Sequence, residues 1–352
     1  MLDYKILAFS AAVLLAAFST PFSARADAVK DAEKQREISA RADRLYKGLN
    51  VRRDVVYKKS GGRELTMDLI LPEKNLYKNG APVLMNIHGG GWNGGDRYHV
   101  GGAWARGLGE MGIAVATISY TFAEEGKADV RDCITDCKDA ARFLAKNAKK
   151  FGIDPSRIMT TGHSAGGHLS LMTALAPDEK FPGDPSLKGF KPGFAGAIGF
   201  APAVSFDDPE HDYPGTVSHS ASCFARLVGG SPQEIAALKK AGKTNAYEFL
   251  KEKFPGDPRI KIAEDASPAR YISKSSCPVL IIHGDKDALV SYKASRHMAE
   301  SASKAGADII YVEVSGADHG LRGKNLSVSP ESQGKIRDLF VIRHLLDGVE
   351  RR

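Results

Sequence analysis

The sequence predicts an α/β fold with a mostly parallel central sheet covered by helices on both faces. Short apolar segments of strand character alternate with helical segments from residue 82 onwards. Two glycine-rich loops, at 88–91 and 162–166, directly follow such strands. Because alternating strands and helices build parallel sheets, we expect ligands to bind beyond the carboxyl ends of the strands.

The composition is that of a globular protein without a nucleic-acid partner. The 352 residues are 43% hydrophobic and 26% charged, which is an ordinary balance. The length allows one large domain or two small ones. The formal net charge of +7 is dispersed, since no long run of Lys or Arg occurs. Such dispersed charge is typical of a basic protein that does not bind nucleic acid.

Residues 1–26 have the pattern of a secretory signal peptide. Lys5 precedes a short apolar stretch, and small residues lie at the −3 and −1 positions before a cut after Ala26. We expect cleavage there, with cleavage after Ala28 as the second choice. The apolar stretch is short for a membrane span. The pattern therefore predicts a periplasmic or extracellular protein without stable membrane association, and an uncleaved N-terminal anchor is the alternative.

A polar, helix-prone arm at 27–50 precedes the main domain, which is predicted to span 51–348. Strands are predicted at 54–58, 65–71, 82–87, 112–120, 157–162, 194–201, 278–283 and 307–314, and helices at 128–151, 164–175 and 332–346. The first two strands flank Ser60-Gly61-Gly62. Such a turn between alternating segments predicts an antiparallel hairpin.

Residues 203–270 interrupt the alternation of strands and helices. They contain several Pro and Gly and no strong strand, with helical segments near 232–241 and 246–253. The segment lies between two core strands of one domain. We therefore interpret it as an insertion that covers the active-site end of the sheet as a lid.

The four cysteines do not have the spacing of a metal site. Cys133 and Cys137 share one face of a predicted helix, where a disulfide would be near the limit of good geometry. The pairing of Cys223 and Cys277 stays open. Because neither Cys-x-x-Cys nor His-Glu-x-x-His occurs, the sequence predicts no metal site, and nothing in it implies a cofactor.

Ser164 lies at the predicted junction between a strand and a helix, between Gly162 and Gly166. A serine on such a tight turn exposes its hydroxyl above the sheet, where the helix N-terminus offers unpaired N–H groups. This position suits a nucleophile, and the alternative is an ordinary helix N-cap. A serine nucleophile also needs a general base.

Two later loops supply the groups that a nucleophilic serine requires. Asp287 follows the strand at 278–283, and His319 follows the strand at 307–314. The order Ser, Asp, His is the one that this kind of fold uses. Asp285 is the alternative acid. The glycines at 89–91 allow backbone donors to approach a substrate oxygen closely.

Six motifs stand in order along the chain: H-G-G-G-W-N-G-G-D (88–96), D-C-K-D-A-A-R-F-L (136–144), G-I-D-P-S-R-I (152–158), G-H-S-A-G-G-H-L (162–169), H-G-D-K-D-A-L-V (283–290) and D-H-G (318–320). Together they resemble the α/β-hydrolase fold esterases of the hormone-sensitive-lipase-like and bacterial feruloyl- and acetyl-esterase-like group. The resemblance covers about 50–348, without most of 203–265. It departs at Ala288, where relatives usually have Pro, and at Phe143, where many have Trp.

The resemblance implies a role for each matching residue. Ser164 resembles the nucleophile, His319 the general base and Asp287 the acid that orients the base. The oxyanion donors of the family match the backbone N–H groups of Gly90, Gly91 and Ala165. The neighbouring polar residues are interpreted as structural or site-lining, namely His88, His163, His168, His283 and the loop anchor Asp96. Trp92 and Tyr120 either line the pocket or pack in the core.

The expected function is that of a serine carboxylic ester hydrolase that forms an acyl-enzyme. Short acyl esters or carbohydrate-linked acetyl and feruloyl esters are the expected substrates, with no cofactor. An amide hydrolase of the same fold, formamidase-like or a peptidase, is one alternative. A catalytically silent binding protein is the other. No pattern in the sequence fixes the acyl-chain preference or the oligomeric state.

Overall fold

A computed structural model describes residue 33 and residues 36–352, except 61, 125–126, 208–227, 229–230 and 241–245. The chain divides into two compact units, Met1–Lys47 and Gly48–Arg352. In the first unit the described residues form helix α1 over 36–46, inside the arm that the sequence suggests is helical. The segment interpreted as a signal peptide lies outside the described residues.

The second unit is built on a mostly parallel, eight-stranded sheet. Its strands are β1 (Asn50–Ser60), β2 (Arg63–Leu71), β3 (Ala81–Ile87), β4 (Ala114–Ile118), β5 (Ile153–His163), β6 (Phe194–Phe200), β7 (Val279–Gly284) and β8 (Ile309–Val314). Their order is β1-β2-β4-β3-β5-β6-β7-β8. The hairpin β1–β2 and the pair β2–β4 are antiparallel, and every other pair is parallel. The predicted fold class is confirmed.

The helices in the described part of this unit are α2 (Gly102–Glu110), α3 (Val130–Lys146), α4 (Ala148–Phe151), α5 (Ala165–Leu175), α6 (Pro232–Lys240), α7 (Ala246–Lys253), α8 (Pro258–Asp265), α9 (Tyr292–Lys304) and α10 (Pro330–Val341), which continues into a π-helical segment, Ile342–Leu346. The single helix predicted over 128–151 is wrong in one respect, because it breaks at Asn147. The amide of Asn147 donates to the carbonyl of Phe143 at 2.9 Å, a local bond that competes with regular helix.

The central strands are covered on both faces. Every residue of β4 and every residue of β7 is buried. Because successive side chains of a strand point to opposite faces, complete burial requires packing on each side of the sheet. The carboxyl ends of β3, β5, β7 and β8 lie at one edge, since these strands run in the same direction. The loops that follow them therefore meet there.

Helix α3 carries four charged side chains that are buried in spite of their charge. Asp136, Lys138, Asp139 and Arg142 are each less than 5% exposed. Lys58 of β1 lies 2.8 Å from Asp136 and 2.7 Å from Asp139. Buried charges are stable only when they are paired and hydrogen-bonded. These ion pairs hold the hairpin β1–β2 against α3.

The same cluster also reaches the C-terminal end of α5. Arg142 donates to Asp139 at 2.8 Å and to Asp178 at 2.9 Å. Lys138 donates to the carbonyl oxygens of Thr173 and Ala176, at 3.2 and 2.7 Å. The motif D-C-K-D-A-A-R at 136–142 is therefore a structural element that fixes α5, the helix that begins directly after Ser164.

Candidate active site

Ser164 occupies a strained turn between β5 and α5. Its φ is 57° and its ψ is −123°, a conformation that residues other than glycine rarely adopt. The side chain makes no capping hydrogen bond to α5. Ser164 therefore does not act as a side-chain N-cap. The backbone itself makes the sharp turn, and this conformation leaves the hydroxyl of Ser164 at the edge of the sheet.

Three glycines allow the backbone segments around Ser164 to touch. A Cβ atom on Gly162 would lie 2.4 Å from the carbonyl of Gly166, and one on Gly166 would lie 2.2 Å from the carbonyl oxygen of Ile87. A Cβ atom on Gly89 would lie 2.7 Å from the carbonyl oxygen of His163. No real side chain accepts such distances. The end of β3, the end of β5 and the first turn of α5 are therefore packed backbone against backbone.

The loop after β3 exposes backbone donors beside this turn. Gly90 and Gly91 have φ values of 119° and 58°, which only glycine adopts without strain. Within the described part of the chain, no hydrogen bond uses the amide N–H of either residue. Ala165 is the first residue of α5, and its N–H has no partner inside the helix. The three amides are available to bind a negatively charged oxygen.

His88 and Asp96 support the glycine-rich loop. His88 Nδ1 donates to the carbonyl oxygen of Gly89 at 2.8 Å, and its ring stacks on Tyr120 with the centroids 4.4 Å apart. Burial lowers the pKa of His88 to about 4, so the ring is neutral at neutral pH. Asp96 accepts from the backbone N–H of Tyr98 at 2.9 Å. Both residues have the structural roles that the sequence suggests, and Tyr120 belongs to the core.

Asp287 and His319 form a hydrogen-bonded pair at the same edge of the sheet. His319 Nδ1 donates to Asp287 Oδ2 at 2.7 Å. The other carboxylate oxygen of Asp287 accepts from the backbone N–H groups of Leu289 and Val290, at 2.8 and 2.9 Å. The carboxylate is buried, whereas the His319 side chain is 18% exposed. This arrangement fixes the tautomer of His319 and leaves its Nε2 as the acceptor.

Asp287 is held in its ionised form. Burial opposes the charge, but hydrogen bonds from His283 and His319 outweigh it, so the pKa of Asp287 lies well below its usual range. A lowered carboxyl pKa contributes stability that is present above the unfolded value, near pH 4, and is lost as the pH falls further. The carboxylate is therefore charged at every pH at which the protein is expected to work.

Asp285, the alternative acid, has a different partner. Its Oδ1 accepts from the backbone N–H of Gly316 at 2.7 Å, which joins the loop after β7 to the loop after β8. Asp318 is exposed and accepts from the N–H groups of Gly320 and Arg322 within its own turn. Of these three carboxylates, the structure brings only Asp287 against the ring of His319.

Two further histidines connect the parts of the site, and their sequence neighbourhood gives no sign of how. His163 Nε2 donates to the carbonyl oxygen of His319 at 2.7 Å, so the residue before Ser164 holds the loop that carries His319. His168 accepts from Trp92 Nε1 at 3.1 Å and donates to the carbonyl of Ala266 at 2.7 Å. Trp92 is 4% exposed and therefore packs beneath the site.

In the described residues, no group of three or more His, Cys, Asp or Glu side chains is placed to hold a metal ion. Cys133, Cys137 and Cys277 are free thiols, and Cys223 lies outside the described residues. Across the same ranges, no helix combines the length and the apolar character that crossing a membrane requires.

The α/β-hydrolase class is defined by a mostly parallel sheet with a serine at a strand-to-helix turn. An acid and a histidine follow later strands of the same sheet. The sequence profile of the BD-FAE family matches residues 67–301. The chain belongs to this family. The family resemblance that the motifs indicate is thereby confirmed.

Individual relatives carry esterase names. The chain is 28% identical over 241 residues to LipM of Mycobacterium tuberculosis, a probable carboxylic ester hydrolase, covering 68% of this chain and 49% of that protein. It is 27% identical to the esterase LipC of the same organism, covering 70% of this chain and 55% of LipC. The chain thus spans about half the length of the curated relatives it matches.

Solved structures show the same fold. Esterase 2 of Thermogutta terrifontis with bound propionate superposes with a TM-score of 0.61 at 23% identity, covering 84% of this chain and 94% of that one. The unliganded form of the same esterase gives a TM-score of 0.62. At this level of identity the similarity establishes the α/β-hydrolase fold.

Replacing Gly166 with Ala is expected to lower the free energy of unfolding by about 1–3 kcal/mol, because the added methyl group would overlap the Ile87 carbonyl. The matched control is Gly107→Ala in α2, where nothing lies within 4 Å of the added atom. That change is expected to stabilise by about 0.5–1 kcal/mol through helix propensity. Urea denaturation measures both. Equal stabilisation by the two substitutions would contradict the close approach of the backbones.

Proposed function

We propose that the protein is a serine carboxylic ester hydrolase with Ser164 as nucleophile, His319 as general base and Asp287 as the acid. The observation that carries this proposal is the 2.7 Å hydrogen bond between His319 and buried Asp287. It lies at the sheet edge where the Ser164 hydroxyl makes no capping hydrogen bond to α5. The esterase names of the relatives support the reaction class.

The proposed reaction proceeds through an acyl-enzyme. His319 Nε2 accepts the hydroxyl proton of Ser164 while its oxygen attacks the ester carbonyl carbon. The N–H groups of Gly90, Gly91 and Ala165 donate to the negatively charged oxygen of the tetrahedral intermediate. Asp287 stabilises the imidazolium that His319 has become. His319 then protonates the leaving alcohol. A water molecule then gives a proton to His319 and attacks the acyl carbon. The bond to the Ser164 oxygen breaks, His319 returns the proton to Ser164, and the carboxylic acid leaves.

The proposed substrates are esters of short acyl groups, carried by small molecules or by carbohydrate. In the described part of the insertion at 203–270, the helices α6, α7 and α8 have only eight or nine residues. Such short helices do not provide the extended apolar surface that long acyl chains require. The related esterase from Thermogutta terrifontis has been solved with propionate and with butyrate bound. We propose that this insertion acts as a lid that sets the size of the acyl group.

We further propose that the protein works in the periplasm or outside the cell after removal of residues 1–26. Expression with the full leader in a bacterial host is expected to give a mature N-terminus at Asp27, because Ala24 and Ala26 occupy the −3 and −1 positions. N-terminal sequencing of the exported protein measures this directly. An intact Met1 on protein recovered from the membrane fraction would support an uncleaved anchor instead.

Ser164→Ala is expected to lower the turnover of p-nitrophenyl acetate by a factor of about a thousand or more, because the proposed acyl-enzyme forms on the Ser164 hydroxyl. The variant should unfold thermally as the wild type does, and a fluorophosphonate probe should label only the wild type. A folded wild-type protein that resists the probe would favour a binding protein. Faster cleavage of p-nitroacetanilide than of the ester would favour an amide hydrolase.

The two candidate acids are separated by a matched pair of substitutions. Asp287→Asn is expected to lower kcat by about ten-thousand-fold, since it removes the charge that stabilises the imidazolium and favours the wrong tautomer of His319. Asp285→Asn keeps an acceptor for the N–H of Gly316 and should cost less than about tenfold. Steady-state kinetics on p-nitrophenyl acetate measures both. The reverse ranking would assign the acid to Asp285.

A further inference from the structure

A second histidine lies behind the Asp287–His319 pair. His283, the fifth residue of β7, places its Nε2 3.0 Å from Asp287 Oδ2, the same oxygen that His319 contacts. The other ring nitrogen, Nδ1, lies 2.9 Å from the hydroxyl oxygen of Ser295 on α9. The side chains of His283 and Ser295 are fully buried. Four side chains therefore form one continuous chain from α9 to the edge of the site.

The direction of each hydrogen bond in this chain follows from the carboxylate. Ionised Asp287 only accepts, so both histidines must donate to Oδ2. His283 then carries a proton on Nε2, and its Nδ1 pairs with the hydroxyl of Ser295. The carboxylate thus selects the tautomer of His283, and Ser295 binds the other ring nitrogen. A buried ring with both nitrogens bonded cannot rotate without losing both partners.

We propose that His283 is a positioning residue that sets both the orientation and the basicity of Asp287 toward His319. This inference rests on the proposed function. With Oδ1 bound by two backbone N–H groups, the donor from His283 fixes the remaining oxygen in the direction of His319. The same donor withdraws negative charge from Oδ2. It thereby limits how strongly the carboxylate stabilises the protonated form of His319.

The other charged and titratable groups near His319 come from neighbouring loops and strands. His163 of β5 lies with its ring centroid 4.8 Å from that of His319 and donates to the backbone carbonyl, not to the ring nitrogens. Asp285 is bound to Gly316, and Asp318 is exposed in its own turn. The hydrogen bonds of His163, Asp285 and Asp318 do not involve the side chain of His283, whereas Asp287 is bonded to it directly. His163 is coupled to His283 only through the electrostatic field, so we expect the shift in pH dependence to act mainly through Asp287.

The test compares His283→Leu with His283→Gln, because only Gln offers an N–H donor in place of Nε2. The measurement is the pH profile of kcat/KM for p-nitrophenyl acetate. In His283→Leu the acid limb is expected to move to higher pH by about 0.5–1 unit, with about a tenfold loss on the plateau. His283→Gln should restore the limb to the wild-type position. His344→Leu, which removes a histidine that contacts Phe340, serves as the control and should leave the profile unchanged.

A folded His283→Leu protein with the wild-type acid limb would overturn the inference, as would an equal shift in His283→Gln. If His283→Leu does not fold, Ser295→Ala takes its place, since it keeps the ring but frees its Nδ1. That variant should shift the limb in the same direction by a smaller amount, and an unmoved limb would count against the proposal. Wild-type protein without ester turnover or fluorophosphonate labelling would instead overturn the proposed function.

Discussion

The close approach of three backbone segments is the constraint on which the site depends. The end of β3, the end of β5 and the start of α5 lie so near one another that Gly89, Gly162 and Gly166 have no room for a Cβ atom. This contact forces the chain to turn sharply at Ser164, which therefore takes a positive φ. It also places the first N–H of α5 beside the glycine-rich loop. Serine and oxyanion donors are thus positioned by one packing arrangement.

Buried histidines then join this centre to the rest of the domain. His88 and His168 have their pKa values lowered to about 4 by burial, so both rings are neutral at neutral pH. His168 connects Trp92, in the loop after β3, to Ala266, at the end of the insertion. Only a neutral ring can bridge an N–H donor and a carbonyl acceptor in this way. Burial thus keeps His168 neutral and able to connect these two segments.

The sequence predicts the fold well because its signals are local. Short apolar runs such as 82–87 and 278–283 are bounded by Pro and Gly, and the structure has strands there. Helix α2 is not predicted from the sequence, because Gly102, Gly107 and Gly109 weaken the helical pattern. The burial of Trp92 and the hydrogen-bond partner of His283 cannot be inferred from the spacing of residues in the sequence. They depend on His168 and on Asp287, which only the tertiary fold brings into contact.

The immobilisation of His319 differs from that of a surface histidine in that both its ring and its backbone are bound. Asp287 holds Nδ1, and His163 holds the carbonyl oxygen, so rotation of the ring and displacement of the loop are opposed by different elements. Asp287 is itself fixed by four donors, from His283, His319 and two backbone amides. Preorganised groups of this kind need little rearrangement as charge develops. Under the proposed mechanism, the rigid part of the fold therefore determines the chemistry, and the choice of acyl group falls to the insertion between β6 and β7.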